Sequence, residues 1–150
     1  MRSKQPILVT GIHRSGTTWV GRILGLAPRA GYIHEPFNPA SKYLDMKLWF
    51  TYICQDNAEN HSQSIENLLG FVYDYDRVLH PMYWHPTSVY RTLKESLVFL
   101  KYRKQKVRAL LKDPIAIFST EWLTSTFNMK VIITIRHPAA FAHSVKVKGW

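Results

Sequence analysis

The sequence predicts an α/β fold built on a parallel sheet. Short apolar runs alternate with segments of helical period, and the residues with the strongest chemistry stand just after those runs. The composition agrees: 150 residues, 46% apolar and 20% charged, with no low-complexity tract, suit one globular domain with a single core.

Pro6 to Thr10 reads as the first strand, and Thr17 to Leu26 as the first helix, with Trp19, Val20, Ile23 and Leu24 at helical spacing. Between them lies the loop GIHRSGTT. Pro28 and Gly31 punctuate the chain before a second strand, Tyr32 to Glu35, which Pro36 stops. Residues from about 42 to 106 form an insertion. Within it, Tyr43 to Cys54 and Asn57 to Leu69 are expected to be helical, Phe71 to Pro86 is aromatic-rich and irregular, and Ser88 to about Lys106 is a long helix capped by Thr87 or Ser88. Tyr73, Tyr75, Tyr83 and Trp84 either stack on a sugar or aromatic acceptor or pack over a core edge. Arg108 to Lys112 and Met129 to Ile135 supply two more strands, the last so continuously apolar that cover on both faces is expected. Pro114 to Phe127 and Ala139 to about Lys146 are the adjoining helices. Ligands of such sheets bind at the carboxyl ends of the strands, where Arg14, Glu35, Lys112 and Arg136 fall. About four strands make a thin sheet, so the single domain spanning 1–150 is expected to be C-terminally truncated.

Twenty Lys+Arg against ten Asp+Glu give a net charge of +10, which draws anions such as nucleotides, nucleic acid or acidic lipid. Lys101, Arg103, Lys104, Lys106 and Arg108 gather at the end of the long helix, where the helix dipole favours cations on a solvated face. The single Cys54 excludes an intrachain disulfide and any CxxC motif. His80 and His85 flank Pro81 without helical spacing and do not make a metal pair. With no apolar run long enough for a signal peptide or a membrane span, a cytoplasmic protein is expected.

The loop after the first strand carries the sharpest signal. A strand running into glycines and then a helix aims backbone N–H groups and a positive dipole end at one spot, which suits an anion. Gly11 and Gly16 allow close approach, and Ser15, Thr17 and Thr18 add hydroxyl donors. A triphosphate-binding loop would carry lysine after the second glycine, but Thr17 stands there. Arg14 offers the missing charge as a bidentate fork.

RSGTTW after a strand resembles the 5′-phosphosulfate loop of the sulfotransferases. A second motif of that family, an Arg after a buried strand with a Ser eight positions on, is matched in IRHPAAFAHS by Arg136 and Ser144. The Arg before SGTTW resembles the carbohydrate-type and bacterial branches rather than the cytosolic branch, which has lysine. The resemblance implies a three-layer, P-loop-like fold and transfer of a sulfuryl group from 3′-phosphoadenosine 5′-phosphosulfate to an acceptor hydroxyl or amine, without a metal. It implies that Arg14, Ser15, Gly16, Thr17 and Thr18 grip the 5′ end of the donor and that Arg136 and Ser144 hold its 3′-phosphate. Trp19 either lies against the adenine or packs as a core contact of the first helix. The acceptor is expected to be a carbohydrate or another small molecule.

In-line transfer needs a base at the acceptor and positive charge on the breaking link. Arg14 is the first choice for that charge, and Lys112 matches a family lysine that reaches the sulfuryl group. The cytosolic branch has a catalytic histidine two residues after this lysine, where this chain has Pro114. Other branches use a glutamate after the second strand, matched here by Glu35 in YIHEPF, which is therefore expected to be the base, with His13 and His34 as alternatives. Two other classes remain open on the sequence. In a nucleotide-kinase-like phosphotransferase, Asp113 would organise magnesium. In a basic nucleic-acid-binding module the charge would meet phosphates, although no nucleic-acid motif is present.

Overall fold

The structure, a computed structural model, describes residues 4–41, 43–73 and 86–149, with the backbone alone for residues 86–89 and 91. Its sheet has four parallel strands, β1 (Ile7–Gly11), β2 (Ala30–His34), β3 (Arg108–Lys112) and β4 (Lys130–Thr134), in the order β2-β3-β1-β4. The helices are α1 (Thr17–Gly25), α2 (Glu59–Leu69), α3 (Pro86–Lys104), α4 (Thr120–Phe127) and α5 (Pro138–Lys148). The expected α/β class with its central parallel sheet is therefore observed.

Strand periodicity sorts the side chains into two layers. Leu8, Ile33, Ala109 and Leu111 face the main core, where they meet Ile65 and Leu68 of α2, Phe99 of α3 and Trp122 and Leu123 of α4. Val9, Tyr32, Leu110 and Lys112 occupy the other face, against which α1 packs. The sheet thus lies between α1 and the remaining core helices. The chain visits β2 and β3 on one side of β1 before crossing to β4 on the other, so the direction of winding reverses beside β1. Ligand crevices form at such reversals.

Four expectations are corrected. Tyr43 to Cys54 is not a helix: Leu44 and Met46 are buried while Asp45 and Lys47 are exposed, the alternation of an extended segment, and a turn closed by Thr51 Oγ1 donating to Leu48 O (2.8 Å) follows. Pro114 to Phe127 is broken into a 3-10 helix (Ile115–Ser119) and α4. Among the described residues β4 is not covered on both faces: it forms a sheet edge paired only with β1, and Ile132, Ile133 and Ile135 are exposed. A run of apolar residues reports a preference for burial, not the presence of a cover. α3 begins at Pro86, so Thr87 and Ser88 lie inside its first turn rather than capping it. Tyr75, His80, Tyr83, Trp84 and His85 lie outside the described residues. Tyr73 packs against Phe99, with ring centroids 5.7 Å apart, and its hydroxyl donates to Glu95, which is the core-edge alternative.

Candidate active site

The loop after β1 and the segment after β4 meet at the reversal. Gly11 is required there, because a Cβ would lie 2.4 Å from Thr134 O and 2.9 Å from Ser15 Oγ. The close approach lets Ser15 Oγ and Thr134 Oγ1 share a hydrogen bond of 2.7 Å. Arg136 Nη1 donates to Arg14 O at 2.9 Å, and Arg14 Nε donates to Ser144 Oγ at 2.9 Å. Arg14, Ser15, Arg136 and Ser144, far apart in sequence, are thus brought together. Gly16, with φ 96°, turns the loop into α1, whose start has no side-chain cap and no acidic residue in its first turn. The N–H groups that open α1 therefore keep a positive partial charge that no side chain offsets. Thr17 is buried and Thr18 half-buried at this start.

The second cluster forms at the ends of β2 and β3. Lys112 is only 1% exposed, because its stem runs beneath α1, where a Cβ on Gly21 would come within 2.8 Å of Lys112 Cγ. A buried ammonium needs a partner. Lys112 Nζ donates to Glu35 Oε1 in a tight ion pair, and the backbone N–H of Glu35 donates to Lys112 O at 2.8 Å. Burial pushes the Glu35 carboxyl up, but the hydrogen bond and charge of Lys112 outweigh it and hold it below its ordinary value, helped by His34 and Asn38.

Asp113, fully buried, ties the two strand ends together. Its Oδ2 accepts from the N–H of Phe37 (2.6 Å), and its Oδ1 accepts from the N–H groups of Ile115 (2.8 Å) and Ala116 (3.4 Å). The Glu35–Pro36–Phe37 turn and the 3-10 helix after Lys112 are therefore clasped by one carboxylate. Burial pushes Asp113 up to about 6, against the pull of these three donors.

A protein-family model described as "Sulfotransferase family" matches residues 6–149, nearly the whole chain. The chain belongs to the sulfotransferase family. It is accordingly an enzyme, a transferase. No curated protein and no solved structure matches it.

The other site candidates of this sulfotransferase are placed as follows. Trp19 is 70% exposed on α1 and is no core contact. His34 Nδ1 is hydrogen-bonded to Tyr32 Oη at 3.0 Å, and its Nε2 lies 3.9 Å from Glu35 Oε1. His13 sits edge-on to Phe50, with centroids 5.7 Å apart. Among the described residues no group of three or more His, Cys, Asp or Glu could hold a metal ion. Sequence reasoning gave Asp113 a magnesium role in a competing account, whereas both of its oxygens are occupied by backbone donors. It overlooked Asn38, whose Nδ2 donates to Glu35 Oε2 at 3.4 Å, and Thr134, the partner of Ser15. An Asp followed by Pro directly after a strand was the one available signal for such a clasp.

Proposed function

We propose that this enzyme transfers the sulfuryl group of 3′-phosphoadenosine 5′-phosphosulfate to a hydroxyl, or an amine, of a small acceptor. The observation that carries the reading is the hydrogen bond between Arg14 of the glycine loop and Ser144 of α5, at the reversal of the sheet. The donor bears its phosphosulfate and its 3′-phosphate on one ribose, so its two anion subsites must be neighbours. The start of α1, with Ser15, Thr17 and Thr18, suits the 5′ end; Arg136 and Ser144 suit the 3′-phosphate. The exposed Trp19 is suited to lie against the adenine.

In the reaction, Glu35 takes the proton of the acceptor hydroxyl as that oxygen attacks sulfur. The bond from sulfur to the 5′-phosphate oxygen breaks, and its electron pair stays on the departing adenosine 3′,5′-bisphosphate. Lys112 and Arg14 meet the charge that develops on that oxygen. In the free enzyme Lys112 is committed to Glu35. A sulfuryl group that draws Lys112 away leaves Glu35 partly buried without its counter-charge, and its pKa climbs toward that of a working base. Lysine and glutamate thus act in sequence.

Titration calorimetry tests the reading. Adenosine 3′,5′-bisphosphate should bind more tightly than magnesium ATP. Ser144→Ala should weaken the bisphosphate by about tenfold, the loss expected for one hydrogen bond to a charged phosphate, while sparing adenosine 5′-phosphate. Tighter binding of magnesium ATP would sink the proposal in favour of phosphoryl transfer.

A further inference from the structure

Beside the glycine loop, three separate segments bring aromatic rings to the surface. Phe50, in the turn that follows the extended segment after β2, is 52% exposed and stands between His13 of the loop after β1 and Phe118 of the 3-10 helix after β3. Its centroid lies 5.7 Å from that of His13 and 5.9 Å from that of Phe118, both edge-on, and Trp49 follows at 6.5 Å. Phe118 and Trp49 are 49% and 54% exposed. Folding has left a contiguous set of rings in water, which proteins do chiefly where something docks.

The rings are held in place. Ser119 Oγ accepts from the N–H of Ile53 at 3.1 Å and donates to Thr51 O at 3.3 Å, fastening the turn that carries Trp49 and Phe50 to the 3-10 helix. Phe50 itself has φ 59°, a left-handed backbone that a bulky side chain adopts only when its surroundings impose it. The strain turns an apolar ring outward, so the patch is built before any ligand arrives.

We propose that Trp49, Phe50 and Phe118 form the docking wall for the acceptor, and that the acceptor carries its reacting hydroxyl on an aryl or alkyl body rather than on a sugar. The proposal rests on the sulfuryl-transfer reading and deepens it. The location favours an acceptor over a macromolecular partner: His13 belongs to the glycine loop, and Phe118 stands on the helix that Asp113 clasps to the Glu35 turn. The chemistry favours an apolar body. Phenylalanine rings reward hydrocarbon and aryl contact and provide no hydrogen-bonding groups, so an aryl or alkyl body buries more apolar surface on this wall than a sugar, whose hydroxyls gain no partner from the rings. The wall therefore discriminates among hydroxylated molecules by what carries the hydroxyl.

The test uses the whole chain, 2-naphthol and N-acetylglucosamine as probe acceptors, and calorimetric titration of each with adenosine 3′,5′-bisphosphate present, alongside transfer rates with the sulfated donor. The expected result is that 2-naphthol binds and is sulfated while N-acetylglucosamine does neither. Phe118→Ala and Phe50→Ala should each raise the dissociation constant and KM for 2-naphthol by about tenfold, with the bisphosphate affinity within about twofold of the parent. Trp49→Ala, at an exposed position, supplies the same readout should either phenylalanine variant lower the melting temperature. The proposal is overturned if the sugar binds as well as the naphthol, if 2-naphthol does not bind to the bisphosphate complex, if the variants leave naphthol binding unchanged, or if sedimentation shows a dimer that Phe50→Ala dissolves. Failure of the bisphosphate to bind the parent chain would instead overturn the sulfuryl-transfer reading.

Discussion

Arg14 and Glu35 have left-handed backbones, with φ 67° and 45°, at positions where neither glycine nor asparagine relieves the strain. Each is held by neighbours: Arg14 O accepts from Arg136, and Glu35 is bonded to Lys112 through backbone and side chain alike. Such strain is stored where a side chain must be aimed. Replacing the Glu35 carboxylate by an amide removes the proposed proton acceptor while keeping the shape. We expect Glu35→Gln to lower the transfer rate by at least about a hundredfold, the usual contribution of a general base, with bisphosphate affinity unchanged in calorimetry. Asp113 offers a second prediction. Its folded pKa of about 6 lies above the ordinary 3.8, so between those values the folded chain holds more protons than the unfolded one, and stability falls as pH rises through that window. The displacement corresponds to roughly 3 kcal/mol. Asp113→Asn should erase this component: the melting temperature of the parent relative to the variant should drop between about pH 4 and about pH 6.5 and be flat above. Glu35, shifted downward, works in the opposite sense and loses its contribution as pH falls. The identities of these residues were legible as polar side chains at strand ends. Their backbone strain and the Asp113 clasp were not, because both depend on which strand ends become neighbours.

At the level of elements, α1 and β3 meet through a glycine and a lysine. Gly21→Ala adds a methyl 2.8 Å from Lys112 Cγ and 3.2 Å from Tyr32 Cε2, so the lysine stem must shift. Alanine also favours the helix by about 1 kcal/mol over glycine, which offsets much of the packing cost. The expected outcome is a melting temperature within a few degrees of the parent and a transfer rate at least about tenfold lower, because the ammonium is displaced from its proposed place beside Glu35 and the sulfuryl group. Steady-state rates alongside thermal melts check it. The inner strands were the most legible, in RALLK and ILVTG, because β1 and β3 bury both faces and so read as short apolar runs between breakers. Tyr43 to Cys54 misled because its apolar residues serve two purposes: Leu44, Met46 and Ile53 enter the core, while Leu48, Trp49 and Phe50 face water. A periodicity test counts them together. The exposure of β4 was illegible for a different reason: sequence hydrophobicity cannot say whether a covering element is at hand.

Across the whole molecule, a net charge of +10 and the anion subsites proposed where β1 and β4 end point the same way. Cationic fields raise the encounter rate with anionic ligands and are screened over about 8 Å at physiological ionic strength. The affinity for adenosine 3′,5′-bisphosphate should therefore weaken severalfold between about 50 and about 300 mM salt, while the KM for an uncharged acceptor stays nearly constant. Titrations at several salt concentrations check this. Equal salt dependence of both would place the acceptor in the same charged corner. No helix of the described residues is long and apolar enough to cross a membrane. The Asp113 clasp also sets which parts of the molecule tolerate redesign. Because one carboxylate couples the Glu35 turn to the helix bearing Phe118, an insertion or deletion between Lys112 and Phe118 would detune the chemistry whatever it did for substrate range. The turn at Trp49 and Phe50, fastened to that helix by the Ser119 hydroxyl, can be exchanged more freely. On the proposed assignments, substrate scope and catalytic competence are separable traits, and directed evolution of new acceptors should begin at residues 48–50 and leave residues 112–116 untouched.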